Sequence, residues 1–247
     1  VTKIKNIKIL EESAFNIKSK DNVISHLEFH QKVPFLLNIE VDYEDNELVL
    51  EFTGKVLGSD YPKLISIETI KQCFININNM GICLLDIDAI MDDASVVKCD
   101  VTQDVCCDDV PALTKYIASN IINYREYIAR TLRNSNFVVE KNVTTRGYKK
   151  RLTIYNKQKE MNKRENSRYM TEYNIPPNTF ENICRFELNL NSTAQIKKSL
   201  GISDTSLQSV LTATNNPIRD FLDDVVADSN YTIPLTDKQS YFTALVL

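Results

Sequence analysis

The sequence predicts an α+β fold: a mainly antiparallel β-sheet flanked by helices, with a helical C-terminal segment. Three observations predict it. Apolar and polar residues alternate in several short runs, as half-buried strands require. Other runs repeat apolar residues every three to four positions, as one face of a helix does. The two kinds of run mix without the regular strand–helix–strand rhythm of a parallel sheet. With 43% hydrophobic residues over 247 positions the chain can bury a full core, and 5 Gly and 7 Pro are too few for a disordered or linker-rich chain.

In chain order, residues 35–57 (FLLNIEVDYEDNELVLEFTGKVL) read as a hairpin whose turn is DYEDN. In residues 66–81, Ile70, Cys73, Phe74 and Ile77 share a helical face, and Gly81 sits where a C-cap belongs. Residues 95–105 (SVVKCDVTQDV) alternate and predict a strand. Residues 110–133 predict one long amphipathic helix with Pro111 near its start. Residues 150–157 (KRLTIYNK) and 183–190 (ICRFELNL) alternate again and predict two more strands. Residues 193–225 return to helical spacing. A short helix ends at Leu200, Gly201 takes the turn and Ser203 caps the next helix. That pattern resembles a helix-turn-helix, with Ser203, Asp204, Thr205, Ser206 and Gln208 toward a DNA groove; a plain helical hairpin is the alternative. The expected division is 1–192 and 193–247.

Several classes are excluded. No run of apolar residues is long enough for a transmembrane helix, and the N-terminus lacks the apolar core of a secretory signal. The first residue, Val1, and the ending YFTALVL read as the ends of a fragment. The six cysteines form no C-x-x-C pair and no zinc spacing, so reduced thiols in a cytoplasmic protein are expected. His26 and His30 are read as surface residues. Charge is uneven. Residues 141–168 hold ten basic and two acidic side chains, a local excess of eight, in a chain of net charge −4. Such a basic island suits a polyanion site in an acidic protein. A solvated lysine-rich loop is the plainer alternative.

Alternation also assigns faces. Lys98, Asp100, Thr102 and Asp104 oppose Val97, Cys99, Val101 and Val105. Arg151, Thr153, Tyr155 and Lys157 point outward, against inward Leu152 and Ile154. Arg185, Glu187 and Asn189 oppose Phe186, Leu188 and Leu190. If the three strands are neighbours, one face presents Asp100, Asp104 and Glu187 beside Tyr155 and Lys157. Carboxylates on rigid strands suit a hard cation, Mg²⁺ or Mn²⁺. A phenol ionises near pH 10, so it needs a metal or another cation nearby to act as a nucleophile at neutral pH.

RLTIYNKQKE followed by CRFELNL, with KCDVTQD before them, resembles the motifs of the phage and plasmid replication initiators of the gene II/X family, over roughly residues 36–200. The resemblance also extends to rolling-circle initiators without the two-histidine metal motif. It implies a site-specific DNA nickase that keeps a 5′ phosphate on tyrosine and frees a 3′ hydroxyl to prime synthesis. Carried over, Tyr155 is the nucleophile and Lys157 assists it. Asp100, Asp104 and Glu187 hold Mg²⁺ or Mn²⁺. Arg185 holds phosphate, and the basic island adds Lys149, Lys150, Arg151, Lys159, Arg164 and Arg168 as expected DNA contacts. The implied partner is origin DNA, single-stranded or cruciform, with a host helicase or polymerase and a second copy of the chain as further candidates; no membrane is expected. Tyr124 and Tyr127 are the competing nucleophiles. The alternative functions are a non-catalytic sequence-specific DNA-binding protein and a metal-dependent phosphodiesterase without a covalent tyrosine.

Overall fold

A computed structural model describes residues 1–35, 37–122, 126–132, 136–145, 149–226 and 241–247. The N-terminal half comprises β1 (Thr2–Lys3), β2 (Ile7–Ile9), β3 (Phe15–Lys20), β4 (Val23–Phe29), β5 (Leu37–Asp42), β6 (Glu47–Thr53), α1 (Ile70–Asn79), β7 (Cys83–Leu85), α2 (Ile87–Asp93) and β8 (Lys98–Cys106). Next come α3 (Val110–Ser119), β9 (Tyr127–Thr131), β10 (Phe137–Lys141), β11 (Arg151–Asn156), α4 (Lys157–Met161), α5 (Arg164–Glu172) and β12 (Ile183–Leu190). The chain closes with α6 (Thr193–Leu200), α7 (Leu207–Leu211), α8 (Pro217–Val225) and β13 (Tyr241–Val246).

The fold is α+β. Among the described residues, eleven strands form one antiparallel sheet in the order β3-β4-β5-β6-β13-β8-β12-β11-β10-β9, with β1 added to β6. Turn chemistry sets its hairpins. Asp21 and Asn22 both take positive φ (52° and 64°), which suits the two-residue turn between β3 and β4. Asp42 accepts from the amides of Glu44 and Asp45 to close the β5–β6 turn. The strands that carry the motifs, β8, β12 and β11, are direct neighbours at the sheet centre.

The two faces of these central strands differ. Cys99, Val101, Leu152, Ile154, Phe186 and Leu188 are buried in the main core, beneath α3, α6 and α8. A separate apolar cluster of Tyr61, Met161, Tyr169, Met170, Ile175 and Phe180 gathers side chains from α4, α5, the 175–180 loop and the 3-10 segment Gly54–Lys63. Gly58 in that segment has φ 62° and ψ −123°, outside the range of ordinary L residues.

The structure differs from four expectations. The helix expected over 110–133 stops at Ser119; the side chains of Ser119 and Asn120 bond back to the carbonyls of Lys115 and Tyr116. Residues 127–131 then form β9, paired with β10. Tyr127 therefore lies on a strand and packs edge-to-face on Phe221; Tyr124 lies outside the described residues. Second, β13 lies between β6 and β8, so the end of the chain completes the same sheet and 193–247 is not a separate helical unit. Third, α7 is capped by Ser206 and not Ser203. The 203–206 turn is stitched to residues 94–96 through Val96 N–H to Thr205 O (2.7 Å) and Leu207 N–H to Ala94 O (2.9 Å). With five residues, α7 offers little more than one turn to a groove. Fourth, Lys157 begins α4 and does not continue β11. Asn156 ends the strand by capping that helix, its side chain accepting from the amide of Lys159 at 2.8 Å.

Candidate active site

Register aligns the polar residues in rows across β11, β12 and β8: Arg151–Asn189–Asp100, Thr153–Glu187–Thr102 and Tyr155–Arg185–Asp104. The assumed adjacency of the three strands is therefore present. Tyr155 and Glu187 are diagonal neighbours, and the Tyr155 hydroxyl donates to Glu187 Oε1 at 2.8 Å. Both line a cavity of about 340 Å³ together with Asp100, Lys157, Tyr61, Lys55 and Glu160.

Tyr155 was expected to face outward, yet it is only 6% exposed because the aromatic cluster closes over this end of the strand. Burial, and then the charge of Glu187, push its phenol well above the usual range. Tyr155 thus keeps its proton at rest, and Glu187 accepts its hydrogen bond. Asp100 accepts from the Asn189 amide. Burial raises its carboxyl above the usual range; the amide opposes this and the charge of Glu187 adds to it.

Lys157 is 3% exposed and its ammonium donates to the Tyr61 hydroxyl at 2.6 Å. The rings of Tyr61, Tyr155 and Phe180 surround it at 5.1, 5.6 and 5.7 Å from their centroids. Arg185 NH1 reaches the same Tyr61 oxygen at 3.4 Å. Burial opposes ionisation of Tyr61, but the charges of Lys157 and Arg185 outweigh it and hold the phenol below its usual range. The two cavity tyrosines are therefore poised oppositely.

Arg185 and Asp104 take roles other than those expected. Arg185 is fully buried and forks onto Asp104, Nε to Oδ1 at 2.6 Å and NH2 to Oδ2 at 2.7 Å. It cannot reach a DNA phosphate at the surface. Asp104 is its counter-ion and is not among the residues lining the cavity with Asp100 and Glu187. Among the described residues no group of three His, Cys, Asp or Glu side chains gathers as a metal cluster, so the expected set of three carboxylates reduces to the pair Asp100 and Glu187.

The remaining basic residues spread over the neighbouring surface. Arg151 is exposed at the start of β11, in the first row, and bonds Asn189 at 3.1 Å. Lys149 pairs with Glu140 at 3.1 Å. Lys150 is partly buried, and burial together with the Lys198 charge holds its ammonium below the usual range. Lys159, Arg164 and Arg168 are exposed on α4 and α5, the last two one helical turn apart. Arg146 lies outside the described residues.

Three cavity residues had no sequence signal. Tyr61 and Lys55 come from the 3-10 segment, and Asn166 from α5; Lys55 donates to Asn166 Oδ1 at 2.6 Å. Burial holds the Lys55 ammonium below its usual range; the charge of Lys157 adds to this, while Tyr61, Glu160 and Glu165 work against it. Glu160 belongs to the Tyr-x-Lys-x-x-Glu pattern and could have been picked out; it holds Lys163 and Asn166. No protein-family model, curated protein or solved structure matches this chain.

Proposed function

We propose that the chain is a rolling-circle replication initiator that nicks and rejoins one DNA strand through Tyr155. The observation that carries the reading is the 2.8 Å hydrogen bond from Tyr155 to Glu187 in a cavity that also holds Asp100 and two lysines. A nucleophile bonded to its base is the arrangement covalent transfer needs. In the forward step the Tyr155 oxygen bonds to phosphorus, its proton passes to Glu187, and the P–O3′ bond breaks. Lys55, a half-buried ammonium of lowered pKa, protonates the departing 3′ oxygen. Reversal rejoins the strand.

The pair Asp100 and Glu187 fits a divalent cation: two carboxylates face one cavity, and burial and the mutual repulsion already raise Asp100. Mg²⁺ or Mn²⁺ held there would neutralise charge on the phosphate. Lys157 supports the Tyr155 ring from beneath and fixes Tyr61. The exposed bases Arg151, Lys159, Arg164 and Arg168 supply the electrostatic track for the strand. Six free cysteines support a cytoplasmic setting. Among the described residues no helix is long and apolar enough to cross a membrane.

A second reading has one observation in its favour. Burial holds the Tyr155 phenol protonated, which suits a phosphodiesterase in which water attacks. The reading is tested by incubating labelled single-stranded origin DNA with the chain and Mn²⁺. Cleavage should fall by about 10²–10⁴-fold in Glu187→Gln, the range for loss of a general base. Undiminished cleavage by that variant would overturn the role of the site.

A further inference from the structure

A second cavity, of about 490 Å³, lies between α3, the β9–β10 hairpin and α4, outside the nucleophile's cavity. Its apolar wall is Val110, Pro111, Ala118 and Phe137. Three ammonium groups, Lys115, Lys159 and Lys163, stand around it, with the polar side chains of Thr114 and Asn156. Lys163 is committed to Glu160. Lys115 and Lys159 are exposed and have no carboxylate partner among the described residues. Glu160 is a wall of both cavities, so the two adjoin through one side chain.

The chemistry of the lining is two-part. An apolar wall next to Lys115 and Lys159, unpaired with carboxylates among the described residues, matches a molecule with an apolar end and an anionic end. The volume is in the range of small-ligand pockets. A nucleotide has both parts: a base to lie on the exposed Pro111 and Ala118, and a phosphate for Lys115 and Lys159. We propose that this cavity seats one nucleotide of the bound strand, next to the phosphate that Tyr155 attacks; the strand's identity as substrate rests on the function proposed above. The seat fixes the register of the strand, so that binding energy away from the bond positions the bond.

The test uses the full chain and a fluorescently labelled single-stranded 12-mer, followed by anisotropy over a salt series. Deoxyadenosine monophosphate and inorganic phosphate serve as competitors. The double variant Lys115→Ala/Lys159→Ala should bind the 12-mer roughly tenfold more weakly, with a log–log salt slope shallower by about 1.4, or ~0.7 per lost phosphate contact. The control Lys8→Ala/Lys18→Ala, on exposed lysines of β2 and β3, should not change. Ala118→Trp, an exposed position on α3, should fill the cavity and remove competition by the nucleotide. Unchanged affinity and slope in the lysine variant, while the wild type still nicks, overturns the seat and leaves the nickase standing. Nucleotide competition that Ala118→Trp abolishes, in a chain that forms no nick, supports the seat and removes the nickase. Phosphate competing as well as the nucleotide overturns the base wall. No binding of the strand or the nucleotide overturns the seat.

Discussion

Tyr155 and Tyr61 open into the same cavity but are held in opposite states. One donates to a carboxylate, and the other accepts from two cations. Asp100 is the group whose ionisation is most exposed to this balance, since burial and the charge of Glu187 raise it. A carboxyl whose folded pKa is raised stabilises the fold below its unfolded value of 3.8, and that stability is lost as pH rises through the raised value. Asp100→Asn keeps the acceptor for Asn189 and removes the charge. Its melting temperature at pH 7 should exceed that of the wild type, by about 2–4 °C for each kcal/mol relieved in a chain this size. The difference should vanish at pH 3. Mn²⁺ should raise the melting temperature of the wild type and not of Asp100→Asn. A lower melting temperature for the variant at pH 7 would show that Asp100 is not strained. At this scale Tyr155 and Glu187 were legible, because alternation fixes faces. Tyr61 and Lys55 were not. They meet Lys157 and Asn166 across 96 and 111 residues of chain, and no local pattern encodes such a meeting.

The segment Gly54–Lys63 is the element that brings Tyr61 to the site. Gly58 makes its sharp bend possible, and a Cβ there would lie 2.8 Å from the Tyr173 ring. Tyr169 fastens the same bend by donating to the carbonyls of Lys55 (2.7 Å) and Gly58 (3.0 Å). Gly58→Ala should cost about 1–3 kcal/mol in a urea titration, from the backbone region and the ring contact together. Nicking should fall further than stability does, because Tyr61 and Lys55 shift with the segment. A variant with unchanged stability would mean that the bend relaxes freely. Of the elements, the β5–β6 hairpin, α1 with Gly81 (φ 74°) and the three motif strands were legible from turn residues and period. The β3–β4 hairpin also had its sign, Asp21-Asn22, but the polar strands around it hide the alternation. The long helix over 110–133 failed because its apolar spacing suits either state, and pairing of β9 with β10 decides for strand.

At the scale of the molecule, the sheet depends on its last strand. β13 joins β6 to β8; its Phe242 and Leu245, and Leu247 directly after it, are completely buried. At about 1.5–3 kcal/mol for each buried side chain, this strand alone approaches the typical margin of about 5–15 kcal/mol. A chain ending at residue 240 should therefore show no cooperative thermal transition by circular dichroism. A truncated chain melting within a few degrees of the full one would mean that the two halves of the sheet stand independently. The sequence of β13 is an ordinary apolar run, and only its place between two distant strands makes it central. The charge asymmetry, by contrast, was plain in the sequence. What the structure adds is that Lys157 and Arg185 are withdrawn into the interior, while Lys159, Arg164 and Arg168 remain outside.

The central claim is that Tyr155 forms a bond to phosphorus. The direct measurement is mass spectrometry of tryptic peptides after the full chain reacts with single-stranded origin DNA and Mn²⁺. The account predicts a nucleotide ester on the peptide containing Tyr155, and no ester in Tyr155→Phe. An ester on Tyr61 or Tyr127, or nicked DNA with no ester on any peptide, would contradict it.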